Sequence, residues 1–184
     1  ASSTSLLRKG RYDESITKSV KKIQKKPEKI KEVQNLEQAF RIANQKDNDR
    51  INFLRLSGQP DIWDEIFKVY LVMKNRQERV RILPSEVLNH INFKYVNYDE
   101  EIVSAQKKAA EFYYAYGISL MDKGDRFNAR EAYHYFLKVK NYYNAYKDVD
   151  LQIKNAYERG QTYIAVEMNN TSMTPLPEFF EVEF

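Results

Sequence analysis

Side-chain chemistry needs particular residue types within reach of one another, and this chain offers few of them. It holds two histidines, His90 and His134, far apart in the chain. Neither has a second histidine three or four positions away, so the paired-histidine helix face that holds zinc is missing. Cysteine is absent, which excludes disulfides, thiolate nucleophiles and Cys-ligated zinc or iron–sulfur sites. Five scattered glycines make no phosphate-cradling loop. No serine stands in a nucleophile-elbow context, and carboxylates such as Glu100, Glu101 and Glu111 have the spacing of an exposed helix face. The expectation is a protein that is not an enzyme and uses no cofactor and no metal.

What remains is binding chemistry. Fourteen tyrosines are many for 184 residues, and they crowd the C-terminal half. Helical spacing assigns Tyr113, Tyr116, Tyr133 and Phe136 to packing, whereas Tyr114, Tyr135 and Tyr143 fall off that stripe. Together with the nearby Arg126 and Arg130 these three make five candidate partner-binding residues, since interfaces favour tyrosine and arginine. Exposed tyrosine faces also stack on sugars. The plainer alternative is that they cover a second helical layer.

The chain also carries a basic run: Lys18, Lys21, Lys22, Lys25, Lys26, Lys29 and Lys31. Nucleic acid would call for interleaved aromatics and arginines, which this run lacks, and the net charge of +4 is modest. No nucleic-acid partner is expected. A solvated helix face accounts for the lysines; if the chain is tethered near its start, they rest against anionic head groups.

The elements that must position these residues read as helices. Glycine and proline number five each, too few for a sandwich of short strands. Apolar residues recur at steps of three and four over Tyr12 to Lys26, Val33 to Leu56, Ile62 to Arg81, Asp99 to about Lys123 and Arg126 to Lys140. Asp61 and Asp148 are read as N-caps, the latter opening a last helix that ends at Gly160 in a left-handed conformation. Leu83 to Tyr98 reads as a connector, extended or strand-like from His90. From about Gln161 the period changes to two, and Thr162 to Met168 reads as a strand. The expected organisation is a helical domain over 1–160 and a strand-containing tail over 161–184, the start of a truncated β-rich domain. Both ends look trimmed. No stretch approaches the length of a membrane span.

Gly117, Gly124-Asp125, Ala129, Tyr133 and Phe136, closing at Asn141, resemble a tetratricopeptide repeat. Gly10-Arg11-Tyr12-Asp13-Glu14-Ser15, with Pro27 twelve residues after Ser15, resembles the second half of the same unit. The turn glycines are irregularly spaced, so the implied fold is an irregular all-α array of antiparallel helix hairpins over about 6–160, with a plain helical bundle as the alternative. The words Pro60-Asp61-Ile62-Trp63-Asp64-Glu65, Tyr98-Asp99-Glu100-Glu101 and Asp125-Arg126-Phe127-Asn128-Ala129-Arg130 resemble repeat-containing lipoproteins of Bacteroides-type bacterial envelopes. That resemblance implies an envelope location, a lipid anchor that this chain does not contain, and a β-rich domain after the helices. It implies a non-catalytic scaffold holding an unidentified protein partner. A glycan-binding accessory domain and a structural spacer stay open beside it.

Overall fold

Glycines 10, 58 and 124 punctuate the chain, each with a left-handed backbone (φ 72°, 65° and 81°) that a residue bearing a Cβ resists. Between them the chain is helical. The computed structural model describes residues 1–165. These form α1 (Ser3–Arg8), α2 (Tyr12–Lys25), α3 (Ile30–Ser57), α4 (Trp63–Val80), α5 (Ser85–His90), α6 (Asp99–Asp122), α7 (Arg126–Lys140) and α8 (Val149–Gly160). A single 3-10 turn, Pro60–Ile62, leads into α4. Among the described residues there is no strand, and no helix is long and apolar enough to cross a membrane. Residues 161–165 have no regular structure; the rest of the expected strand and tail lies outside the described residues.

Apart from α5, successive helices pack on one another: α1 on α2, α2 on α3, α3 on α4, α6 on α7 and α7 on α8, with α4 reaching past α5 to α6. Three apolar clusters run along this succession. Ile16, Val20, Ile23, Leu36 and Val80 anchor the first. Ile51, Ile66, Met73 and Ala105 form the second, where α3, α4 and α6 meet. Leu120, Ala129, Phe136, Val139 and Ala156 fill the third, between α6, α7 and α8.

Two helices went unread in the sequence. Ser2 caps α1, its hydroxyl accepting from the Ser5 amide at 3.1 Å, and the helix buries Ser3 and Leu6. Helix α5 follows Pro84 within the expected connector, and only the residues after it run without regular structure. There the buried Gln77 amide donates to the Val96 carbonyl at 2.5 Å and accepts from its N–H at 3.1 Å. One side chain thus supplies the pairing that a neighbouring strand would have given, which removes the need for one.

The expected caps need correction. Asp61 lies inside the 3-10 turn, and α4 starts without a side-chain cap. Asp148 stands at the start of α8, but its carboxylate accepts from Tyr114 and Gln152 rather than from the helix amides. Gly160 is not left-handed: it ends α8 as a helical residue, and an added Cβ would lie 2.9 Å from Arg130 Cγ. Asp125 does cap α7, accepting from the Phe127 and Asn128 amides at 2.9 and 3.0 Å.

Buried polar groups stitch the first three helices to α4. Glu32 accepts from Ser3 at 2.6 Å, Ser19 at 3.1 Å and Lys22 at 2.6 Å. Burial pushes its carboxyl up, but these donors outweigh that and hold it below the usual glutamate range. Arg76, 2% exposed, donates to Asp13 at 2.7 and 3.0 Å and to Asn44 at 2.8 Å. Asp47 lies 2.6 Å from the same guanidinium as an ion pair without hydrogen-bond alignment.

Candidate functional site

The five candidate residues fall in three places rather than one. Tyr114 and Tyr143 are half-buried, not free. Their rings meet Tyr146 at 5.6 and 5.9 Å, and Tyr114 also meets Phe136 edge-on. The Tyr114 hydroxyl donates to Asp148, and burial followed by that carboxylate pushes its pKa up to about 12. Lys147, at φ 47°, lies over the Tyr114 and Tyr146 rings. This cluster fastens the connection between α7 and α8 onto α6, a packing role.

Arg126 and Arg130 lie on the first turns of α7, over the ring of Phe127 at 5.0 and 5.9 Å. Phe127 is 64% exposed. Arg130 is committed elsewhere: its Nε donates to the Gly160 carbonyl at 2.6 Å and its Nη2 to Thr162 at 2.7 Å. It closes the C-terminal end of α8, whose last carbonyls lack partners within the helix.

Arg130 also lines a cleft of about 300 Å³ with Tyr133, Tyr157 and Gly160, whereas Tyr135 joins a larger concave surface. The open groove it shares, about 620 Å³, lies between the 3-10 turn with the start of α4 and the adjoining faces of α6 and α7. Its floor is aromatic: Tyr116 stands edge-on to Tyr135 at 4.7 Å, Tyr113 lies 5.8 Å from Tyr135, and Phe112 stacks on Tyr116 at 5.8 Å. The Lys138 ammonium sits over Tyr135 at 4.5 Å and over Tyr113 at 5.0 Å. Asp61, Asp64 and Glu65 line the opposite wall.

The helix registers explain the assembly. Phe112, Tyr113 and Tyr116 are one turn of α6, and Tyr135 and Lys138 are one turn of α7. The two helices approach closely because Gly117 has no side chain; a Cβ there would lie 2.6 Å from the Phe136 ring. Pro60 starts the turn that brings the acidic wall alongside.

The wall is electrostatically graded. Glu65 is bound by Arg50 at 2.5 and 2.8 Å and faces away into that pair. Asp64 accepts from Lys68 at 2.7 Å and from the Tyr142 hydroxyl. Burial raises its carboxyl, but Lys68 and Tyr142 prevail and hold it below the usual aspartate range. Tyr113 is pushed up to about 12, by burial first and by Asp64 second. Tyr142 is raised for the same reasons in the same order. Asp61 has no ion-pair partner among the described residues.

Ring faces, a free carboxylate and one ammonium equip this groove to stack against a flat apolar surface and to exchange charge-assisted hydrogen bonds. In the sequence Asp61 reads as a cap and Tyr116 as core, and Lys138 has no assigned role. Tyr116 is 36% exposed. The available signal was the Tyr135–Lys138 pair at one-turn spacing, which puts a cation and a ring on one face. Among the described residues no group of three or more His, Cys, Asp or Glu is placed to hold a metal ion. His134 packs edge-on against Tyr133, and His90 lies at a separate apolar cleft beside Pro27 and Val87.

Fold and groove together define the described residues as an all-α unit of sequentially packed helices with an aromatic, acid-walled cleft. Compared with known proteins, it matches no family model, no curated sequence and no solved structure.

Proposed function

We propose that the chain is a non-catalytic binding scaffold that holds a segment of a protein partner in the groove between α4, α6 and α7. The aromatic floor of Tyr113, Tyr116 and Tyr135 beside the unpaired Asp61 carries this reading. It combines the ring-rich, rigid surface that interfaces favour with one uncommitted charge for orientation. The array reads as tetratricopeptide-like hairpins. Supporting this are left-handed glycines ahead of α2, α7 and the turn into α4, and the close crossing of Gly117 on Phe136. On the resemblance of its sequence, its place is the bacterial cell envelope, attached through an N-terminal lipid anchor.

A second reading has its own observation. The exposed Tyr116 beside the Asp61 carboxylate is the pairing of ring face and acceptor that a sugar uses, so a glycan is the alternative occupant. A spacer role predicts no ligand at all.

Crosslinked capture from envelope extract, comparing wild type with Tyr116→Ala/Lys138→Glu, tests the reading. A protein captured by wild type and lost with the variant supports a groove scaffold. Identical captures remove it. An oligosaccharide that quenches tyrosine emission in wild type but not in the variant moves the assignment to the glycan.

A further inference from the structure

The outer face of α2, the loop after it and the first turn of α3 carry Lys18, Lys21, Lys25, Lys26, Lys29 and Lys31, all exposed. Lys22 turns inward to Glu32 instead. None of the six pairs with a carboxylate among the described residues; Lys18 donates only to the Ala1 carbonyl. Lys18, Lys21 and Lys25 share a helix face by their steps of three and four, and the other three continue around the loop. Glu28 is the one exposed acid within the stretch. Outside residues 18–31 acidic side chains outnumber basic ones, so the positive field is local rather than a property of the whole chain.

Stability does not ask for this arrangement. Lys29 and Lys31 stand at the N-terminal end of the long α3, where the helix dipole disfavours cations. At the tip, between those two lysines, Ile30 is 69% exposed, with exposed Pro27 close by. Ile30 also lines the cleft with Pro27, Val87 and the acids Glu28 and Glu86, but its chain neighbours Lys29 and Lys31 and the other four lysines outnumber those acids. An exposed apolar side chain within a basic edge suits anionic head groups over an apolar interior.

We propose that this edge docks the protein on an anionic lipid surface, with the six lysines meeting head-group phosphates and Ile30 entering the interface. Nucleic acid fits less well. The stretch holds no arginine for bidentate contacts and no aromatic for stacking, and Ile30 has no role against a phosphate backbone. The inference is independent of the groove, which lies on other helices.

Vesicle flotation of the whole chain decides it, using mixed phosphatidylglycerol and phosphatidylcholine against pure phosphatidylcholine. Wild type floats with the mixed vesicles, stays behind with the neutral ones, and is released by high salt. Lys25→Glu/Lys26→Glu/Lys29→Glu lowers partitioning by about 100-fold, at roughly fivefold per lysine. Ile30→Ser lowers it by about tenfold. All four positions are exposed, so circular dichroism of the variants stays as in wild type. Ile30→Trp in a Trp63→Phe background reports insertion as a blue shift of emission on mixed vesicles. The proposal is overturned if wild type fails to float, if that emission does not shift, or if duplex DNA or polyglutamate binds more tightly than the vesicles.

Discussion

The two ends of this molecule are held together by different chemistry. Around α1–α3 and the facing side of α4, the joints are charged: Glu32 gathers Ser3, Ser19 and Lys22, and Arg76 gathers Asp13, Asn44 and Asp47. Around α6–α8 they are aromatic: Phe136 sits on Gly117, and Tyr114, Tyr135, Tyr142 and Tyr146 close the remaining gaps. Charge fixes register by direction, because a misplaced donor leaves a buried ion alone. Rings fix it by shape and leave their faces available at the surface. The ring-lined groove accordingly lies at the aromatic end, whereas the cleft beside Arg76 is lined by Asp13, Asp47 and Lys46.

Phe136→Ala attacks the aromatic end at its centre. It is expected to cost about 4 kcal/mol in urea unfolding, because the ring is fully buried and its cavity cannot close. Arg76→Met does the same to the charged end. We expect about 2 kcal/mol, short of the value for a wholly buried pair because Asp13 is in part solvated. Gly117→Ala overpacks the crossing by about 1–2 kcal/mol, and Phe136→Leu in the same chain recovers part of that. A double-mutant sum that is strictly additive would show that the two residues do not touch.

pH separates the ends further. Glu32 is held below its ordinary 4.5, so its contribution is present above that value and is lost as pH falls from there through the lower native value. Acid is therefore expected to loosen α1 and α2, seen as amide exchange there, and Glu32→Gln should flatten this response. Tyr113 and Tyr142 are raised above the ordinary 10.0, so their contribution is present below that value and is lost as pH rises from there through the higher native values. Alkali is expected to loosen α6–α8 first. Opening of both ends at the same pH would erase the distinction.

The helices with strong three-and-four periodicity were legible to within a few residues, and Arg126–Lys140 was read with the boundaries it has. Short elements were not: α1 and α5 span six residues each, too few for a period to declare itself. Gly117 stands in the sequence only as part of the repeat resemblance; the Phe136 ring that packs against it is visible in the structure alone. Of the candidate site, only Tyr135 reached the groove. Tyr114 and Tyr143 left the main stripe of their own helices, but stripe membership says nothing about a neighbour arriving from the next connection. Tyr146 and Asp148 supplied that neighbour.

By itself the sequence determined that this chain is helical, where its longer helices run, and that its turns need glycine at 10, 58 and 124. Those are local properties, set by periodicity and by backbone conformations that few residues tolerate. Which tyrosines are free, which arginine is already spent on a helix end, and where acid meets ring were decided only in the tertiary structure. Exposure and pairing depend on residues far away in the chain, such as Asp64 beneath Tyr142 or Gly160 beneath Arg130, and no local pattern encodes them.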